Sequence, residues 1–164
     1  MSYAEHLVAL LPPEVNRAMF ECSGSEANDL AARVARAATG GTGVIVTSEA
    51  YHGNTALITG LSPSIGTDQP MLPDMRMIPT PDTWRLGTND IGAWMAARVA
   101  EQIADMRRHG FKFAALLVDS RASISSKTPW KRAFVQKTPS SMRQNVTLVW
   151  EMCVGLASSS ASTS

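Results

Sequence analysis

Two short apolar runs, Val44-Ile45-Val46 and Phe113–Val118, limit most strongly what this chain can fold into. Neither carries a charge, and neither alternates with polar residues. A strand with no polar face must be covered on both sides, as in a parallel sheet sandwiched between helices. Between the runs lies a helical stripe, Ile91, Met95, Val99, Ile103 and Met106, with Trp94 alongside. Apolar residues at this spacing share one face of a helix. Asn89 or Asp90 is placed to cap its start, and His109-Gly110 to close it. Strand, helix and strand in this order predict an α/β fold, a partial three-layer sheet with helices on both faces and right-handed crossovers.

The other elements are shorter. Leu7, Val8 and Leu11 give helical spacing over 3–11, ended by Pro12-Pro13. Ala18-Met19-Phe20 predicts a brief strand. Ser23-Gly24-Ser25-Glu26-Ala27-Asn28 then opens an alanine-rich helix, with Ser25 as N-cap and Ala27, Leu30, Ala31, Val34 and Ala35 as its apolar face. Thr39-Gly40-Gly41 ends it with glycine where a left-handed cap belongs. A short helix is expected near Asn54. Residues 60–90 read as a long loop with a strand around Met75–Ile78. Ligands of open α/β sheets gather beyond the strands' carboxyl ends, where Tyr51, His52 and Asp119 fall.

Residues 23–28 also read as an anion site. Small residues allow close approach of the backbone. The first N–H groups of a helix have no intrahelical acceptor and lie at the positive end of its dipole. A phosphate is accommodated there without further device.

Composition removes several classes of function. The 164 residues are 45% apolar and 18% charged, with net charge +1, which gives no footprint for nucleic acid. No basic region precedes the apolar run Leu7–Leu11, and no run is long enough to cross a bilayer, so no membrane partner is expected. Cys22 and Cys153 are too few for a disulfide framework, consistent with a cytoplasmic setting. His6, His52 and His109 show no metal-ligand spacing, so no metal site is expected. There is no G-x-x-x-x-G-K-[ST] segment and no G-x-S-x-G elbow. Gly41-Thr42-Gly43 precedes a strand instead of following one, unlike a dinucleotide fingerprint.

Charge divides the chain. Residues 1–119 hold 9 Lys and Arg against 13 Asp and Glu, a balance of −4. Residues 120–164 hold 6 against 1, a balance of +5, and are crowded with Ser and Thr. The expected division is therefore 1–119 as a folded partial domain and 120–164 as an atypical basic tail, irregular or disordered. Within that tail only Val146–Trp150 looks strand-like.

Ser23–Asn28 together with Ala50-Tyr51-His52-Gly53-Asn54-Thr55 resembles the class III (omega) aminotransferases, fold-type I enzymes that use pyridoxal 5′-phosphate. The resemblance covers about residues 3–120 and implies part of the family's large domain. It implies that Gly24 and Ser25 hold the cofactor phosphate, that Tyr51 stacks on the pyridine ring with His52 beside it, and that Gly53 permits the turn. An electron-poor ring stacks well on an aromatic. Asp119 stands where the family has Glu-Pro; here the pair is Asp119-Ser120, and a carboxylate capping the next loop is an equal account. The resemblance further implies an amino donor or oxo acid as small-molecule partner, and a homodimer.

Two groups that such chemistry needs are not assignable. One is a lysine that forms the Schiff base with the cofactor; the other is an aspartate that keeps the pyridine nitrogen protonated. Trp150 stands where that acid is expected, and Lys112, Lys127, Lys131 and Lys137 match no family position. No catalytic residue is therefore named, and whether the chain is an enzyme stays open. The expectation is a truncated or frame-shifted chain unable to transaminate. Two alternatives are a non-enzymatic module binding phosphate through Ser23–Glu26, and an interaction protein whose basic tail meets an acidic partner. Reading the coding DNA in all frames tests the frame-shift: another frame should restore an Asp-Glu strand end and a later lysine, and the idea fails if none does.

Overall fold

The computed structural model describes residues 3–10, 18–87, 90–118 and 147–150. Its centre is strand β1, Gly43–Thr47, all five residues of which are buried. β2, Met75–Ile78, pairs with it on one side and β3, Phe113–Val118, on the other, both parallel. β4, Thr147–Trp150, pairs in parallel with β3, Val118 opposite Trp150. The order is β2-β1-β3-β4. The apolar runs are thus central strands, as their lack of alternation requires.

Five helices accompany the sheet among the described residues: α1, Tyr3–Ala9; α2, Gly24–Thr39; α3, Ala56–Thr59; α4, Thr83–Leu86; and α5, Ile91–Arg108. The period of two along β1 sorts its side chains between two cores. Ile45 joins Ile78 and Leu116 against Ile91, Met95, Val99, Ile103 and Met106 of α5, the whole expected stripe. Val44 and Val46 join Met75 and Leu117 against Ala32 of α2, Ile58 of α3 and Leu61. The link from β1 to β2 runs through α3, while the link from β2 back across β1 to β3 runs through α5 on the opposite face. Crossovers in opposite directions on opposite faces share one hand. The architecture is the expected α/β fold with helices on both faces.

Several local expectations hold. Gly40, φ 63°, donates its N–H to the Arg36 carbonyl at the end of α2. Asp90 caps α5 by accepting from the Ala93 N–H, 3.0 Å. The short helix near Asn54 is α3, and β2 occupies its expected residues. No helix among the described residues is long and apolar enough to cross a membrane.

Three expectations need correction. Ala18-Met19-Phe20 forms no strand; Met19 and Phe20 are exposed, and the Phe20 ring leans on Tyr3 at 5.6 Å. Three apolar residues with no strand edge beside them have nothing to form a ladder with. Second, the buried face of α2 is Asn28, Ala32 and Ala35, while Ala27 is exposed and Val34 is 41% exposed. A buried hydrogen bond made by Asn28 turns the helix away from its most apolar stripe, and the small Ala32 and Ala35 let it lie close to the sheet. Third, the N-cap is Ser23, not Ser25. Ser23 has extended backbone, accepts from the Glu26 N–H at 3.2 Å and donates its hydroxyl to the Glu26 carboxylate at 2.8 Å. The S-x-x-E spacing of the capping box thus joins Ser23 to Glu26, here through the serine hydroxyl in both bonds.

At the far end of α5 the guanidinium of Arg76, 2.6 Å away, holds the Asp105 carboxyl below the usual carboxylate range, helped by Arg108. A depressed folded-state value stabilises the fold above the ordinary carboxylate pKa, and the contribution is lost as pH falls through the folded value. Carboxyl-detected NMR should give Asp105 a midpoint below that of a model aspartate, and Arg76→Met should move it upward. An unchanged midpoint in the variant would remove Arg76 as the cause.

Candidate functional site

The chain direction brings one end of every element to the same rim. α2 runs down into β1, so its N-terminus stands at the carboxyl end of the strands. The chain leaves β1 toward β2, whereas β3 leads on to β4 on the other side. The carboxyl ends of β1 and β3 therefore flank a topological switch point, where open α/β sheets place ligands.

Directly after β1 the backbone is held by β2. Ser48 N–H donates to the Ile78 carbonyl at 2.8 Å. Thr80 returns two bonds, its N–H to Ser48 Oγ at 3.2 Å and its hydroxyl to the Ser48 carbonyl at 2.6 Å. Glu49 then adopts φ 64°, the left-handed region that costs a non-glycine residue about 1 kcal/mol or more. That turn sends the chain toward Tyr51, whose side chain is 49% exposed at the rim.

His52 differs from its neighbour. It is 1% exposed, and its backbone is fixed at both ends. Its N–H donates to Ser62 Oγ at 3.0 Å, and its carbonyl accepts from Asn28 Nδ2 at 2.8 Å. Gly53, φ 130°, passes so close to α2 that a Cβ there would lie 2.5 Å from Ser25 Oγ and 2.7 Å from Ser25 Cα. Asn54 N–H then donates to Ser25 Oγ at 3.2 Å, and the Thr55 hydroxyl to Asp29 Oδ2 at 2.8 Å. Residues 25, 28 and 29 lie at i, i+3 and i+4, one face of the first turns of α2.

The two segments expected to form the site are thus joined in space. Gly24 is exposed, and a Cβ built on it meets nothing within 4 Å. Gly24 and Ser25 fall in the first helical turn, where N–H groups lack intrahelical acceptors. Asp119 lies outside the described residues. Lys112 precedes β3 at the opposite rim, where its carbonyl accepts from Thr42 and Gly43. Cys22 is exposed beside the cap. Among the described residues no group of His, Cys, Asp and Glu is arranged for a metal ion.

Sequence reasoning gave no linking role to Asn28, Asp29 and Thr55, which join the loop to α2, or to Ser62, which ties it to α3. A signal for the cap was present in the Ser23-x-x-Glu26 spacing. Nothing local marks Ser62, which becomes buried only because the loop folds back over α3.

The chain belongs to the class III aminotransferases, the family described as "Aminotransferase class-III", whose pattern matches residues 1–151. The match passes residue 120, where the motif resemblance stopped, and takes in β4. Alanine–glyoxylate aminotransferase 2, mitochondrial, of Pongo abelii is 44% identical over 71 residues, 43% of this chain and 14% of that protein. Among solved structures, a phospholyase from Arthrobacter in complex with phosphoethanolamine is 26% identical, with TM-score 0.72 over 89% of this chain and 36% of that one. A PMP-bound aminotransferase from Vibrio fluvialis is 22% identical, with TM-score 0.63 over 88% of this chain and 35% of that one, and shares the fold. The chain therefore spans 14% of the first curated relative's length and about a third of these solved chains. Enzymes of this family depend on pyridoxal 5′-phosphate. Neither the stand-alone phosphate module nor the interacting tail gains support from these likenesses.

Because the Gly53 position has both a left-handed backbone and Ser25 against it, Gly53→Ala should lower stability by about 3 kcal/mol in urea unfolding. Wild-type stability in that variant would show that the loop does not rest on the helix.

Proposed function

We propose that this chain holds pyridoxal 5′-phosphate at the rim formed by Gly24, Ser25 and Tyr51, as the phosphate-binding half of an aminotransferase site. The observation that carries the reading is Gly24. Its missing side chain has no explanation within the fold: the position is exposed, a Cβ would touch nothing, and its φ is not positive. A backbone left bare at a helix start suits a phosphate that must come close.

The residues present fit the group. The Gly24 and Ser25 N–H groups point their donors at the helix start, and the dipole of α2 favours the phosphate charge. The Ser25 hydroxyl, anchored as acceptor of the Asn54 N–H, can donate its own proton outward. Tyr51 offers a half-exposed ring face for stacking, with buried His52 fixing the chain behind it. When bound, the cofactor supplies an electron sink for bonds made and broken at an amino-bearing carbon. Asp119 is assigned to the cofactor by the family resemblance alone. The whole enzyme would move an amino group between an amino acid or amine and an oxo acid, as a homodimer in a reducing cytoplasm. Family membership supports the substrates and the dimer, and the low cysteine content supports the compartment. These 164 residues contain no lysine that the family pattern assigns to the cofactor, so we expect them to bind it without covalent attachment and without turnover.

Titration with pyridoxal 5′-phosphate, borohydride reduction and peptide mapping test this. Saturable binding without a stoichiometric labelled lysine is expected. Gly24→Ala should weaken binding about tenfold or more while leaving stability unchanged or slightly raised, since alanine is the better helix former. Full affinity in that variant would overturn the phosphate assignment, and a single stoichiometric lysine would overturn the inactivity.

A further inference from the structure

We propose that Asn28 is a positioning residue for Tyr51, coupling the phosphate end of the site to its ring end. This inference rests on the pyridoxal phosphate reading above. Asn28 is a polar residue on the buried face of α2, 3% exposed, in a helix whose other buried residues are alanines. Its carboxamide Nδ2 reaches across 24 positions to the His52 carbonyl at 2.8 Å. Two further links join the same elements, Asn54 N–H to Ser25 Oγ and Thr55 Oγ1 to Asp29 Oδ2, but those lie nearer solvent, where water can replace a lost partner. Water does not reach the His52 carbonyl. Without Asn28 the carbonyl loses a buried donor that water cannot replace, and the loop shifts in response.

The consequence for Tyr51 follows from the backbone. Tyr51 precedes His52, and the His52 residue is held on both sides, by Ser62 at its N–H and by Asn28 at its carbonyl. The backbone from which the Tyr51 ring projects is thereby held relative to α2, and hence relative to the Gly24–Ser25 N–H groups. A ligand that spans phosphate and ring needs that relation; a ligand that uses only the helix start does not.

The test compares two probes, pyridoxal 5′-phosphate and inorganic phosphate, on the full chain carrying Asn28→Leu, which keeps size and removes the donor. Asn28→Asp serves if the first variant does not fold. Visible circular dichroism of the bound chromophore reports the chiral placement of its ring. The expected result is pyridoxal phosphate affinity reduced about tenfold, a diminished dichroic band, and inorganic phosphate affinity within about twofold of wild type. Equal loss of both probes would reduce Asn28 to a support of the helix start and overturn the proposal. Unchanged affinity and dichroism would overturn it as well. Failure of the wild-type chain to bind either probe would instead bring down the phosphate reading, and this inference with it.

Discussion

Everything in this structure depends on β1 having no face that can meet water. Val44, Ile45 and Val46 are all buried, so the sheet must be covered on both sides. That demand fixes α5 on one face and α2 with α3 on the other. A helix that covers a parallel strand and feeds into it runs antiparallel to it. The start of α2 therefore comes to lie where β1 ends. The site is a consequence of covering the strand: the positive end of a helix and the loop after the strand arrive at one rim for reasons of burial alone.

Once there, the two segments are held by polar contacts of unequal worth. The Ser25–Asn54 and Asp29–Thr55 bonds lie toward solvent, where net contributions are modest. The Asn28–His52 bond is buried, and Gly53 seals the contact by bringing backbone against Ser25. The price of this arrangement is visible in α2 itself, which leaves Val34 exposed in order to turn Asn28 inward. Sequence reading that scores only apolar spacing chooses the other stripe, because an asparagine on a buried face has no local signature.

The family assignment and the physical reading meet at Gly24. Enzymes of the family whose pattern matches residues 1–151 depend on a phosphate-bearing cofactor. The geometry adds a reason for one residue: an exposed helix-start glycine with open space around its absent Cβ. Ser23 acts as the cap, which leaves the Ser25 hydroxyl to accept from the loop at Asn54 instead of from the helix.

By itself the sequence determined the four paired strands, the stripe of α5 and the glycine end of α2, because each is set by periodicity or backbone permission within a few neighbours. Gly24, Ser25, Tyr51 and His52 were legible because their two segments resemble the family's motifs. The tertiary structure alone decided which face of α2 is buried, and that Asn28, Thr55 and Ser62 tie the loop down. It also separated Tyr51 from His52, one side chain at the rim and one inside. Those outcomes turn on partners as far as 26 residues away. Where a helix could bury either of two stripes, as α2 could, the decision passes to the buried polar group that would otherwise lack a partner, here Asn28.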